Sequence, residues 1–216
     1  MELSDFYNHH KGQTCLIAGM GPNLKLTPPE WFNYTSFSVN TIYMYEGWKP
    51  TYYAAVDLDM LKLYDTDVTK KYNDVTKFFP RPDFDELQGD NIYRFYHRDC
   101  NYWVGGMRAN DAKALTRDGI GYKRIWDCVL QLVWHMGFTT VLFIGISHKP
   151  ETRNVHFWGF EPRDPEYAGF EYETLGLQHF TRVLQTEGVT LLNLSEDTYL
   201  PENVMPRDDW RNWKNA

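Results

Sequence analysis

The first residues able to do chemistry form the turn GMGPN (19–23), which directly follows the apolar run TCLIAG (14–19). Glycine lets the backbone approach a ligand closely, and consecutive main-chain N–H groups in such a turn can hold an anion. The turn is neither a G-x-G-x-x-G fingerprint, since Leu24 stands at the last glycine position, nor a P-loop, since no GK[ST] follows. A tight strand-to-helix turn without a ligand is the alternative.

Polar residues also follow the next two predicted strands. Asn40 closes TSFSVN (35–40), and its amide can both donate and accept, which suits a ribose or a base edge. An N-cap for a helix beginning at Thr41 is the alternative. Asp57 and Asp59 follow TYYAAV and could share a divalent metal that neutralises a diphosphate, or Asp57 could simply cap a helix.

Two later segments complete the candidates. Gly119 lies in the glycine-rich approach to a predicted helix over 122–137, where a helix N-terminus could bind phosphate; an exposed loop is the alternative. Ser147 and His148 come at the end of TTVLFIGIS (139–147), where catalytic groups of α/β sheets usually lie. A histidine there could act as a base near neutral pH.

The elements that must position these residues alternate between short apolar strands and helices. This alternation predicts an α/β fold: one Rossmann-like domain over 1–216, with a mostly parallel sheet flanked by helices. An aromatic-rich lid is predicted at 148–170. Further expectations are helices over 2–10, 58–72 and 171–187, strands over 75–79, 91–96 and 189–195, and a loosely packed tail.

Composition narrows the function classes. A net charge of −7 argues against a dedicated duplex-DNA binder, and three cysteines without C-x-x-C spacing argue against a zinc site or disulfide framework. No apolar run is long enough for a membrane span, and the polar start shows no signal peptide, so we expect a cytoplasmic protein. The aromatic fraction, 17%, is high, and many rings fall in the predicted lid.

The order LIAGMGPN, SVN, KPTYYAAVD and HMGFTTVLFIGIS resembles the sialyltransferase-like superfamily across roughly residues 12–195. That superfamily includes bacterial family 42 sialyltransferases, archaeal 6-hydroxymethylpterin pyrophosphokinase-like proteins and uncharacterised bacteriophage proteins. The resemblance implies a nucleotide-binding fold. It places against the nucleotide Gly19, Gly21, Pro22, Asn23, Asn40, Ser147 and His148, with Gly119 beside the transferred group.

The chain departs from the family pattern at several positions. Asn23 replaces the usual serine, and Ser147 stands where an acidic residue is typical. The catalytic histidine of the sialyltransferases has no counterpart in residues 167–171. A histidine does occur in VHFWG (155–159), like the H-x-x-G segment of the phage proteins, so His156 is the first candidate for a general base. Glu171 is the second, and the hydroxyls of Tyr167 and Tyr172 would face the departing phosphate.

Three functions follow from the resemblance. The first is a glycosyltransferase that moves a sugar from a nucleotide-activated donor to a hydroxyl acceptor, with no cofactor needed. The acceptor could be a glycan, a small molecule or a modified base in phage DNA, although the acidic balance disfavours nucleic acid. The second is a pyrophosphokinase with Mg²⁺ on Asp57 and Asp59. The third is a non-catalytic nucleotide-binding phage protein. Family 42 relatives assemble, which permits a homo-oligomer.

Overall fold

The structure is a computed structural model that describes residues 3–63, 68–98, 119–121, 125–149, 155–160 and 169–214. The strands are β1 Thr14–Ala18, β2 Thr35–Val39, β3 Tyr52–Ala54, β4 Thr76–Arg81, β5 Ile92–Arg98, β6 Gly119–Gly121, β7 Thr140–Ile144, β8 Val155–His156, β9 Gly159–Phe160 and β10 Thr190–Asn193. The α-helices are α1 Leu58–Leu63, α2 Val68–Lys71, α3 Ile125–His135 and α4 Gly169–Thr186. Short 3₁₀-helices span Leu3–Phe6, Pro22–Lys25, Pro29–Trp31, Asn40–Met44 and Trp210–Asn212.

Eight of these strands form one sheet in the order β10-β7-β1-β2-β3-β4-β5-β6. Every neighbouring pair in it is parallel. Strands β8 and β9 form a separate antiparallel hairpin. The predicted α/β class with a mostly parallel sheet is therefore confirmed. None of the described helices is both long enough and apolar enough to cross a membrane.

The central strands bury both of their faces, which explains their unbroken apolar sequences. Successive side chains of a strand point to opposite faces, so β1 divides its residues between two cores. Cys15 and Ile17 pack with the apolar residues of α3 and α4 on one face. Leu16 and Ala18 pack on the other face, where the 3₁₀-helices between Pro22 and Met44, together with α1 and α2, supply the cover. Both described cysteines, Cys15 and Cys128, are buried and unpaired, as expected.

The direction in which the chain crosses the sheet changes at β1. From β1 to β5 the connections between successive strands lie on the Leu16 face, whereas α3 and α4, which precede and follow β7, lie on the Cys15 face. Right-handed crossovers explain this, because moving along the sheet in the opposite direction requires the opposite face. The strand order therefore reverses between β1 and β7.

Several expected elements differ in extent. The helix predicted over 58–72 consists of α1 and α2, with 64–67 outside the described residues, and the helix predicted over 2–10 is one 3₁₀-turn at Leu3–Phe6. The prediction of a loosely packed tail is wrong. Leu200 and Met205 are fully buried, and Arg207 makes a β-bridge to Asn193 on the edge strand β10. Apolar burial thus fixes the tail to the sheet.

Candidate functional site

The site lies where the strand order reverses. In open α/β sheets the loops at such a point diverge beyond the carboxyl ends of the strands and leave a gap for a ligand. Here those loops are residues 19–23 after β1 and residues 145–148 after β7, and Asn40 follows β2 beside them. We call these three segments the crevice.

Glycines allow the two loops of the crevice to pack backbone against backbone. Gly19 N–H donates to Ile144 O at 2.8 Å, and Gly21 N–H donates to Gly145 O at 2.7 Å. A Cβ on Gly21 would lie 2.6 Å from that carbonyl oxygen, a distance that real Cβ atoms do not show. The prediction that these two N–H groups bind an anion is therefore wrong, because both are already hydrogen-bonded within the protein.

Pro22 begins the 3₁₀-helix Pro22–Lys25 and leads into Asn23, which is buried. Asn23 Nδ2 donates to Ile146 O at 3.1 Å and to Glu196 O at 2.7 Å. These two carbonyls fix the orientation of the amide, since only its nitrogen can donate to them. The other amide atom, Oδ1, is buried and accepts no hydrogen bond from the described residues.

Asn40 presents a second buried amide oxygen, directly after β2, the strand next to β1. Its φ is +44°, and its backbone carbonyl accepts a 2.5 Å hydrogen bond from Tyr53 Oη. Asn40 Oδ1 is buried without a donor among the described residues, and the 3₁₀-helix Asn40–Met44 has no side-chain cap. The helix-cap alternative is therefore wrong. Thr41 Oγ1 lies 3.1 Å from Met20 Sδ and joins this segment to the β1 loop.

Ser147 and His148 form the other wall of the crevice. The buried Ser147 accepts a 2.7 Å hydrogen bond from Tyr199 N–H at its carbonyl. His148 has a φ of +53°, and its Nε2 lies 2.6 Å from Thr174 Oγ1 on α4. The ring is therefore held toward α4, which ties the wall to that helix.

The β8–β9 hairpin lies within the predicted lid and contacts the crevice. Phe157 N–H donates to Met20 O at 3.0 Å, and the Phe157 ring is buried at 5.3 Å from that of Tyr45. His156 stacks on Trp158 with ring centroids 4.5 Å apart. His156 therefore directly precedes Phe157, the residue whose N–H is hydrogen-bonded to the β1 loop.

Two groups near the crevice have fixed protonation at neutral pH. Burial, together with the neighbouring Glu30 carboxylate, raises the pKa of Tyr45 to about 12. Burial also raises the pKa of Tyr53 well above its usual value. Both phenols therefore stay protonated, and each donates: Tyr45 to Glu30 and Tyr53 to Asn40.

Of the other predicted residues, the structure places Gly119 far from the crevice, and Asp57 and Asp59 after β3, the strand next to β2. Gly119 is in the edge strand β6, five strands from β1, which corresponds to about 24 Å at the usual strand spacing. Asp57 lies just after β3, half-exposed, and Asp59 is exposed in the first turn of α1. Among the described residues, no group of three His, Cys, Asp or Glu side chains could hold a metal ion.

Three predicted residues lie partly or wholly outside the description. Tyr167 is outside the described residues, and Glu171 and Tyr172 are described only by their backbone in α4. Conversely, the sequence analysis did not identify Ser195 and Glu196, which follow β10 and accept hydrogen bonds from the crevice loops. Ile146 N–H donates to Ser195 Oγ at 3.1 Å. A polar pair after the apolar strand β10 was the available signal, because carboxyl ends of parallel strands meet at one edge.

Sheet and crevice together define an open, parallel α/β protein with a candidate ligand site at its switch point. Comparison of the sequence with protein-family models and with curated proteins gives no significant match. Among solved structures, the sialyltransferase CST-II in complex with a trisaccharide acceptor and CMP is similar. The TM-score is 0.51 at 14% identity, over 89% of this chain and 85% of that chain.

Two further structures are similar. A singly substituted CST-II in complex with CMP has a TM-score of 0.48 at 12% identity, over 89% of this chain and 85% of its own. CstII from Campylobacter jejuni, in complex with a substrate analogue, cytidine-5′-monophosphate, has a TM-score of 0.45 at 12% identity, over 90% and 84%. The chain has a sialyltransferase-like fold, as the order of its motifs predicted.

Proposed function

We propose that the chain is a glycosyltransferase-like enzyme that moves a sugar from a nucleotide-activated donor to a hydroxyl group of an acceptor. The donor nucleotide binds in the crevice. The observation that carries this proposal is the pair of buried amide oxygens, Asn23 Oδ1 and Asn40 Oδ1, which no described residue satisfies. An unsatisfied buried acceptor costs about 1–3 kcal/mol, and a ligand O–H or N–H removes that cost.

A nucleoside offers the donors that these oxygens require. Ribose hydroxyls and exocyclic base amines are both hydrogen-bond donors, whereas phosphate oxygens at neutral pH are acceptors. The amide oxygens therefore bind the nucleoside part of the donor. The occupied N–H groups of Gly19 and Gly21 agree with this assignment, since they have no capacity left for a phosphate.

Sugar transfer requires a base for the acceptor. As the acceptor oxygen bonds to the anomeric carbon, it loses its proton, and the bond between that carbon and the phosphate oxygen breaks. His156 is the proposed base, because the next residue of its hairpin, Phe157, donates its N–H to Met20 O in the β1 loop. Glu171 remains the second choice.

The departing phosphate gains negative charge and needs donors aimed at it. The hydroxyls of Tyr167 and Tyr172 are the proposed donors. The acceptor is a glycan, a small molecule or a modified nucleic-acid base that carries a hydroxyl group. No observation on the described residues favours the magnesium-dependent pyrophosphokinase with its metal on Asp57 and Asp59.

A thermal-shift screen tests the proposal. The protein is heated with CMP, UDP, GDP or ATP, each with Mg²⁺ or with EDTA. A nucleoside mono- or diphosphate at about 100 times its Kd adds about 2.7 kcal/mol of stability. For a chain of this length that raises the midpoint by about 5–10 °C, with or without metal.

Asn40→Ala should abolish the shift. Asn8→Ala is the matched control, because Asn8 also has a positive φ, +57°, but lies before β1, at the opposite ends of the strands. The control measures the cost of alanine in that backbone conformation without touching the crevice. A shift that appears only with ATP and Mg²⁺, or that survives in Asn40→Ala, would contradict the proposed donor site.

A further inference from the structure

The C-terminal 3₁₀-helix Trp210–Asn212 is fastened to the crevice side of the sheet by its aromatic ring. The Trp210 ring lies 4.5 Å from that of Trp31, centroid to centroid, and the Lys214 ammonium lies 4.4 Å from the Trp31 ring. Two tilted rings in contact, with the Lys214 ammonium over Trp31 and the Arg211 guanidinium over Trp210, give this contact a defined geometry.

Trp210 also contacts the loop that follows β10. Trp210 Nε1–H donates to Glu196 Oε1 at 2.6 Å. The backbone carbonyl of the same Glu196 accepts the 2.7 Å hydrogen bond from Asn23 Nδ2. A short path of two hydrogen bonds through one residue therefore connects the indole of Trp210 to the amide of Asn23.

The path matters because the Glu196 carbonyl is one of the two acceptors that fix the Asn23 amide. Asn23 Nδ2 can satisfy both of its carbonyl partners only while the Glu196 carbonyl stays in place. Oδ1 then points away from those carbonyls, and the position of a Cβ on Gly21 lies only 2.7 Å from it and 2.9 Å from Ser147 N. If the Glu196 carbonyl moves, the amide loses one of the two contacts that fix it.

We infer that Trp210 is a positioning residue: through Glu196 it holds the Asn23 amide so that Oδ1 faces the ligand as a hydrogen-bond acceptor. The inference rests on the proposed function for the identity of the ligand, a nucleoside that donates an O–H or N–H to Oδ1. Its own content is the orientation of Asn23 by the C-terminal segment. A residue that holds a binding group in its rotamer raises affinity without touching the ligand.

The chain supplies a matched control in the same segment. Trp213 Nε1–H donates to Asp208 Oδ2 at 2.8 Å, and not to Glu196 or Asn23. Trp210→Phe and Trp213→Phe each keep a ring and remove one indole N–H. Glu196→Gln keeps an oxygen acceptor for Trp210, whereas Glu196→Ala removes it.

The first measurement needs no ligand. In ¹⁵N-labelled protein, the side-chain NH₂ signals of Asn23, assigned by their loss in Asn23→Ala, report the two carbonyl contacts. Trp210→Phe and Glu196→Ala should move these signals and speed their hydrogen exchange, while Trp213→Phe and Glu196→Gln leave them as in the wild type. Equal spectra for Trp210→Phe and Trp213→Phe would overturn the inference.

The second measurement is the Kd for CMP by calorimetry. Trp210→Phe should weaken binding about 5-fold, the equivalent of one ordinary hydrogen bond, and add nothing further in an Asn23→Ala background. Trp213→Phe should bind as the wild type does. Additive losses would overturn the inference. A wild type that binds none of the four nucleotides of the thermal-shift screen counts against the proposed function, whereas the Asn23 signals still decide the role of Trp210.

Discussion

Replacing Gly145 with alanine tests the close packing on which the crevice depends. Gly145 has a φ of +71°, and a Cβ there would lie 2.5 Å from Gly19 O and 3.0 Å from Leu24 Cδ1. The first of these atoms belongs to the backbone of Gly19, whose N–H is hydrogen-bonded to Ile144 O, so it cannot turn aside as a flexible side chain would. The two loops must separate, or the chain must leave its left-handed conformation.

The expected cost has two parts. A left-handed conformation at a residue with a side chain costs about 1–2 kcal/mol. Overpacking that displaces backbone adds about 1–3 kcal/mol. The reduced freedom of alanine in the unfolded chain returns about 0.4–1 kcal/mol. Gly145→Ala should therefore lower the free energy of unfolding by about 2–4 kcal/mol.

Urea unfolding followed by tryptophan fluorescence measures this, with Gly188→Ala as the control. Gly188 follows α4 with a φ of +80°, and nothing lies within 4 Å of the position of its Cβ. It therefore reports the conformational cost alone, about 1 kcal/mol after the unfolded-state correction. If Gly145→Ala is no less stable than Gly188→Ala, the loops do not pack as described and the reasoning fails.

Two further predictions concern buried ionisable side chains away from the crevice. Lys77 is fully buried on β4, and its ammonium donates to the carbonyls of Tyr72 and Val75 at 2.5 and 2.7 Å. Lys77→Met should lower the free energy of unfolding, measured in urea, by about 1–3 kcal/mol. An unchanged free energy of unfolding would show that these two hydrogen bonds are dispensable. Burial lowers the pKa of His135, whose Nε2–H donates to Leu3 O, so the unfolded chain takes up this proton first as pH falls below about 6.5. The stability present above that pH should be lost toward pH 5.5, and less so in His135→Gln; equal losses would exclude His135 as the cause.

The central sheet could be predicted because its strands carry their own signature. The runs at β1 and β7 are apolar on both faces, and only a strand buried in a parallel sheet requires that. The β6 strand could not be predicted, since Gly119–Gly121 has no apolar side chain beyond Ile120 and depends on pairing with β5. The tail was mispredicted because its prolines suggested a loop, whereas its scattered apolar residues fill the core.

The place of the crevice residues in the sheet could be predicted from the sequence, but their hydrogen bonds could not. Asn23 and Asn40 were identified because polar residues at the ends of adjacent parallel strands meet at one edge of the sheet. The use of the Gly19 and Gly21 N–H groups within the protein could not be foreseen, because their partners on β7 lie more than 120 positions away in the chain. Glu196 escaped for the same reason: its contact with Asn23 spans 173 positions.

The pairing of β1 with β7 also sets the order in which the protein can form. Thr14 pairs with Thr140, 126 residues later, whereas the opposite edge of β1 meets β2 after only about twenty. At about 5–20 residues per second of synthesis, one edge of TCLIA waits roughly 6–25 s for its neighbour. An open apolar strand edge invites pairing with other chains during that interval. The crevice therefore forms late, and a ligand can stabilise only those chains in which β1 and β7 have already paired.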